Sequence, residues 1–338
     1  MKAAVTLLVS LCITSSLQAQ APEVADKLDP YVDTVVSLLE NHSLLAKQIN
    51  WDEVKTSVLK AYPVIEHDSV RYAAVRWIID KYKLKHHSFM SPAQAASWRN
   101  DDGRGSNTCS NVCEAKSLQL PTSQLLEDQI GYLKVPMFST GDSLKLSEYA
   151  TALQTQIKAL HEQGANRWVV DLQGNMGGHM WPMVVGLGPL LGEEKLGSFI
   201  GEGREESDWY YKDGTGFTKN REDISTWVRI DPIVPPLVGQ RIAVLIDSAT
   251  MSSGEAVTVA FLGKKNVRTF GEKTGGYSTG NMGFDLKDGS ILFITTSVYA
   301  DRQSTLYYEG ITPDQFVSGS NESLESAVDW LEISTATR

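Results

Sequence analysis

Apolar positions recur at helical spacing through the first part of the chain. Val32, Val35, Val36 and Leu39 share one face, and Leu45 follows them. Asn50 with Glu53 three residues later resembles a capping box that opens a second helix, which Pro63 closes. Asp68 opens a third, with Val75, Ile78, Ile79 and Tyr82 on one stripe. Three amphipathic helices predict a small N-terminal bundle within residues 20–100. The Asp-Asp-Gly-Arg-Gly-Ser run at 101–106 carries turn chemistry and opens a linker or flap over 101–128. From residue 129 the pattern alternates strand and helix. Residues 130–135 read as a strand, and Leu146, Tyr149, Ala150, Leu153, Ile157 and Leu160 form a helical stripe ended by Gly164. Trp168, Val169 and Val170 make a short apolar strand, followed by a helix over 181–191. Residues 192–235 are rich in Gly, charge and aromatics, and suit hairpins or a surface cap. The unbroken apolar run 242–246 suits a strand buried on both faces, with a helix over 253–262 behind it. Residues 282–299 alternate around Lys287-Asp288-Gly289 as a hairpin, and 323–331 form a closing helix. This alternation predicts an α/β core over 129–338 with crossover connections.

Composition narrows the function classes. Of 338 residues, 31 are Lys or Arg and 41 are Asp or Glu, a net charge of −10 that offers no basic footprint for nucleic acid. Lys2, an apolar run without acids from Ala3 to Leu17, and the small residue at Ala19 read as a secretory signal peptide over 1–19. An uncleaved N-terminal anchor is the competing reading. The run is shorter than the ~18–20 apolar residues of a spanning helix, and no later segment reaches that length. Cleavage after Ala19 leaves 30 basic against 41 acidic residues, so the mature chain is expected in the periplasm or secreted at a net −11. Two cysteines then remain, Cys109 and Cys113. An oxidising compartment favours one local disulfide between them, ahead of a metal site or a reactive thiol. No cofactor or metal motif is present: G-x-G-x-x-G, the P-loop lysine and H-E-x-x-H are all absent.

Three stretches hold candidate chemistry. Asp247-Ser248-Ala249-Thr250-Met251-Ser252-Ser253-Gly254-Glu255 joins the buried strand to the next helix. A serine there sits beside free helix amides and the positive dipole end, which favour a developing oxyanion, although a plain N-cap has the same signature. Asp171-Leu172-Gln173-Gly174-Asn175-Met176-Gly177-Gly178 follows an apolar strand, and its glycines permit either an anion-holding turn or a simple tight one. Lys85-His86-His87-Ser88-Phe89 offers an imidazole that folding can bring to a distant serine.

Taken together, the chain resembles the tail-specific proteases, or C-terminal processing peptidases, which are serine peptidases with a crotonase-like α/β core. The resemblance covers about 85–92 and 129–316. Its markers are the His87-Ser88-Phe89 and Ile130-Gly131-Tyr132-Leu133 segments, the Asp171 to Gly178 loop and Ser252-Ser253-Gly254-Glu255. Gly271-Glu272-Lys273-Thr274-Gly275-Gly276, Asp288-Gly289-Ser290 and Gly310-Ile311-Thr312-Pro313-Asp314 complete the set. The resemblance implies Ser252 as nucleophile. Members with a Ser–Lys dyad carry the lysine 25 residues later, where this chain has Tyr277. The chain is therefore similar to the nisin-resistance branch, which uses a Ser–His dyad, with His87 as base. Only Ser88 to Gln129 separates the His motif from the core strand, too little for a PDZ module of ~90 residues.

The implied activity is hydrolysis of peptide bonds in extended peptides or the C-terminal tails of exported proteins. Ser252 attacks, His87 shuttles the proton, and the amides of Ser253 and of Gly177 or Gly178 hold the oxyanion. The second ring nitrogen of His87 is expected to meet a carboxylate, Glu309 before Glu255 or Asp301. The alternative is a non-catalytic peptide or hydrophobic-ligand binder on the same fold, with Tyr277 marking lost catalysis.

Overall fold

The computed structural model describes residues 27–100, 119–140, 142–203 and 206–333. The signal peptide expected over 1–19, the expected Cys109–Cys113 disulfide and residues 101–118 of the expected linker or flap lie outside the described residues. The elements run α1 (Pro30–His42), α2 (Trp51–Ala61), α3 (Asp68–Lys81), β1 (Ser88–Met90), α4 (Pro92–Asn100), β2 (Thr122–Leu126), β3 (Ile130–Lys134) and α5 (Ser143–Glu162). They continue with β4 (Arg167–Asp171), α6 (Met180–Leu191), β5 (Lys195–Gly201), β6 (Glu206–Lys212), β7 (Thr215–Lys219), β8 (Ile224–Arg229) and β9 (Arg241–Ile246). Last come α7 (Ser253–Phe261), β10 (Val267–Gly271), β11 (Thr279–Asp285), β12 (Ile291–Asp301), β13 (Leu306–Tyr307), β14 (Gln315–Phe316) and α8 (Ser320–Glu332).

Strands form two sheets. One has six strands in the order β14-β10-β9-β4-β3-β2, parallel except for the antiparallel edge strand β2. Alternate residues of its central strands serve opposite faces. Trp168, Val170, Ile242, Val244 and Ile246 pack with α5, α6 and α7, while Val169, Ala243 and Leu245 pack under Ala327 and Leu331 of α8. The second sheet is antiparallel, β1-β12-β5-β6-β7-β8, with β11 and β13 also on β12. It closes the far side of the helical layer through Trp209, Tyr211, Val228 and Tyr299. Residues 192–235 supply β5 to β8 of this sheet.

The helices α1 to α3 build their own apolar core, and that core includes Leu286, Leu292 and Ile294 from the β11–β12 hairpin. Polar contacts fasten the same seam. Leu44 donates its amide to Thr295 O at 2.8 Å. The Tyr31 hydroxyl meets Ser290 Oγ at 2.6 Å, and that of Tyr72 donates to Asp288 at 2.8 Å. Asp29 caps α1 through the amides of Tyr31 and Val32. Among the described residues, no helix is long and apolar enough to cross a membrane.

Candidate active site

Ser252 stands between β9 and α7, where a buried parallel strand hands over to a helix. Its backbone has φ 50° and ψ −117°, a region that a residue with a Cβ enters only when its surroundings force it. Two neighbours do so. Met251 donates its amide to Asn175 O at 2.9 Å, and Ser252 donates its own to Glu255 Oε2 at 3.0 Å.

Glu255 is fully buried and accepts four hydrogen bonds. Oε2 takes the Ser252 and Tyr277 amides, at 3.0 and 2.8 Å. Oε1 takes Thr274 Oγ1 at 2.5 Å and the Gly276 amide at 3.0 Å. One carboxylate therefore clamps the serine turn to the 274–277 loop.

The 171–178 loop lies against the serine from the other side. Asn175, fully buried, donates Nδ2 to Val135 O at 3.0 Å and accepts the Gly177 amide on Oδ1 at 3.0 Å. Asp247 accepts the Gly174 amide at 3.0 Å and the Ala249 amide at 3.0 Å, so the two turns are laced together. Gly177, at φ 111°, is required by close approach: a Cβ there would stand 2.7 Å from Ser252 Cβ. Ser253 donates its hydroxyl to Gly178 O at 2.6 Å. Among the described residues, the amides of Ser253 and Gly178 donate to no protein acceptor, whereas that of Gly177 is spent on Asn175. Of the expected oxyanion donors, Ser253 and Gly178 are the two left unengaged.

The His segment arrives from the helical front. Lys85 donates Nζ to Gly276 O at 2.7 Å and lies 4.5 Å above the Tyr277 ring. His86 meets Thr279 Oγ1 through Nδ1 at 2.6 Å, and its ring is edge-on to Tyr277 at 5.3 Å. His87 faces the other way. Its Nε2 meets Ser43 Oγ at 3.2 Å, and Nδ1 meets Lys85 O at 3.4 Å. The Lys85 carbonyl can only accept, so Nδ1 carries the hydrogen, and the Ser43 hydroxyl, which also accepts the Leu45 amide at 3.2 Å, donates to Nε2. This network assigns the neutral tautomer with hydrogen on Nδ1 and a lone pair on Nε2. Burial pushes the His87 pKa down to about 4, against the opposing effect of backbone hydrogen bonds at Lys85 and Leu84. Burial lowers His86 to about 4 as well, helped by the nearby charges of His87 and Lys85.

Among the described residues no hydrogen bond joins His87 to Ser252, and no carboxylate orients the imidazole. Glu255 has all its acceptor positions filled in the serine clamp. Asp301 caps its own turn, accepting the Gln303 and Thr305 amides at 2.8 and 3.0 Å and the Tyr307 hydroxyl at 2.9 Å. Glu309 makes no hydrogen bond to the ring. The group that holds His87 is Ser43, a buried residue just past α1 that no local motif marks.

The profile of peptidase family S41 matches residues 129–317. The nisin-resistance protein of Lactococcus lactis subsp. lactis is 33% identical over 204 residues, 59% of this chain and 59% of that protein. The chloroplastic carboxyl-terminal-processing peptidase 2 of Arabidopsis thaliana is 26% identical over 205 residues, 60% of this chain but 35% of that protein. The matches thus span under two thirds of either relative. A solved lipoprotein structure from Streptococcus agalactiae superposes with a TM-score of 0.69 over 90% of this chain and 97% of that one, at 23% identity, and shares the fold. The matched profile contains the serine turn, the glycine loop and the Glu255 clamp, and on that ground the chain belongs to peptidase family S41.

Proposed function

We propose that the protein is an exported serine peptidase that hydrolyses peptide bonds in extended peptides or in the C-terminal tails of exported proteins. The observation that carries this reading is the constrained backbone of Ser252, set at the start of α7 beside the unengaged Ser253 and Gly178 amides. Oriented donors around a hydroxyl suit an acyl-transfer site, because they stabilise charge that appears only in the transition state. Ser252 Oγ attacks the scissile carbonyl, and the oxygen settles between the Ser253 and Gly178 amides. His87 acts as general base through Nε2, leaving the Ser43 hydroxyl for that of Ser252 when substrate enters, and then protonates the leaving amine. Water repeats the sequence on the acyl-enzyme. The apolar leader at 1–19 supports export, and extended substrates suit main-chain pairing along an edge strand.

The test is labelling with a fluorophosphonate followed by peptide mapping. The expected result is a single adduct on Ser252, with hydrolysis and labelling both lost in Ser252→Ala while the fold is kept. A well-folded wild-type chain that resists the label, or Ser252→Ala that still hydrolyses peptide, defeats the proposal. The first outcome would favour a non-catalytic binder.

A further inference from the structure

Both nitrogens of the His87 ring are held, and neither bond leads to Ser252. Nδ1 meets Lys85 O at 3.4 Å, a carbonyl that also accepts Thr295 Oγ1 at 3.4 Å. Nε2 meets Ser43 Oγ at 3.2 Å. The backbone beneath the ring is tied down as well, since the His87 amide donates to Leu84 O at 3.0 Å. Ser43 is as firmly placed. It is 2% exposed, its amide donates to Leu39 O at 3.0 Å, and the next amide, that of Leu44, is the one fastened to Thr295 O on β12. Its oxygen accepts the Leu45 amide at 3.2 Å and its hydrogen goes to Nε2. Apart from that one short turn, the hydroxyl acts on the imidazole alone.

A general base must offer a lone pair to the proton it removes. With hydrogen on Nδ1, the neutral ring has its only such pair on Nε2, and Ser43 occupies it. We propose that Ser43 is a positioning residue that parks the general base: its hydroxyl keeps His87 in the tautomer catalysis needs, yet holds Nε2 off Ser252 until substrate draws the ring across. The inference rests on the peptidase reading above and adds a resting state to it. In the release step no covalent bond changes. One hydrogen bond, from Ser43 Oγ–H to Nε2, breaks, and Nε2 then faces the Ser252 hydroxyl. Because the parked arrangement is the populated one, substrate binding must drive the release, and apparent affinity falls with the released fraction. Once the site is filled the ring is already free, so kcat is little affected.

The test is Ser43→Ala. Fluorophosphonate labelling of Ser252 should quicken about 3- to 10-fold, the shift that loss of one neutral hydrogen bond allows. KM for a peptide substrate should fall by a similar factor while kcat stays within about twofold of wild type. Ser43→Thr, which restores a hydroxyl, should return labelling toward the wild-type rate. A serine that merely braces the fold predicts the opposite sign, with slower labelling in the alanine variant. Equal or slower labelling, in a variant whose circular-dichroism spectrum is unchanged, overturns the inference while a labelled wild type leaves the peptidase reading standing. A wild type that takes no label defeats both together. If Ser43→Ala does not fold, nitrogen-15 histidine spectra of the wild-type protein decide the matter, with His87 assigned through His87→Gln. Its Nε2 should be unprotonated in the free protein and change its shift once Ser252 is labelled; an Nε2 signal unmoved by the label overturns the inference.

Discussion

Glu255 concentrates more of the site than any other side chain. Its two oxygens hold the serine turn, Thr274 and two successive loop amides, so its loss strands several buried donors at once. Glu255→Gln keeps the volume but sets an NH2 group against two of those donors. Denaturant titration should show a loss of about 2–4 kcal/mol, in line with breaking a buried network. The Ser-x-x-Glu spacing made Ser252 and Glu255 legible in the sequence as a helix start with a candidate nucleophile. The role of the glutamate was not legible, because the partners that fill its lone pairs come from a loop beyond α7. Ser43 was illegible for the same reason. It follows an ordinary helix, and only folding brings it to His87. Adjacent histidines also carry no sign of which faces what. Ahead of β1, His86 sits in a turn at φ 72° beside Thr279, while His87 turns to Ser43 just past α1.

Elements were easier to read than their partners. The stripes of α1, α2, α3 and α5 follow helical spacing, and β4 and β9 appear as short apolar runs, since burial on one face or on both writes its period into the chain. The two-sheet arrangement has no such trace, because which strand pairs with which depends on contacts between distant segments. The hairpins or cap expected over 192–235 form the antiparallel strands β5 to β8 of the second sheet, whose aromatics include Trp209 and Tyr211, buried toward α6. That helix is buried along all twelve residues, so it has no polar face, and it relies on small residues for close approach. A Cβ at Gly188 would fall 2.2 Å from the Tyr211 ring, and one at Gly186 2.7 Å from Leu153. Gly188→Ala should therefore lower stability by about 1–3 kcal/mol despite the better helix propensity of alanine, as for overpacking elsewhere. Thermal melts of the purified variant would show it; a melting temperature at or above wild type would refute the packing account.

For the molecule as a whole, protonation of three buried histidines couples stability to pH. His86, His87 and His179 are each driven down to about 4 by burial, against an ordinary value near 6.5 in the unfolded chain. Between those values the unfolded chain binds protons that the native state refuses, so stability climbs with pH across about 4 to 6.5 and falls as acid is added. The slope approaches about 1.4 kcal/mol per pH unit for each histidine. Urea midpoints at pH 7.5 and 5 should differ clearly, and replacing His179 by Gln should flatten the difference; equal midpoints would contradict it. Above that window the imidazoles remain neutral, which suits a base at ordinary pH.

The seam between helical front and hairpin has a wider meaning. Alcohol and imidazole sit beside different hydrophobic clusters, joined through Leu286, Leu292 and Ile294 and through tyrosine, aspartate and main-chain contacts. On the peptidase reading, turnover is then a property of their assembly, and prying the front away would silence the chemistry.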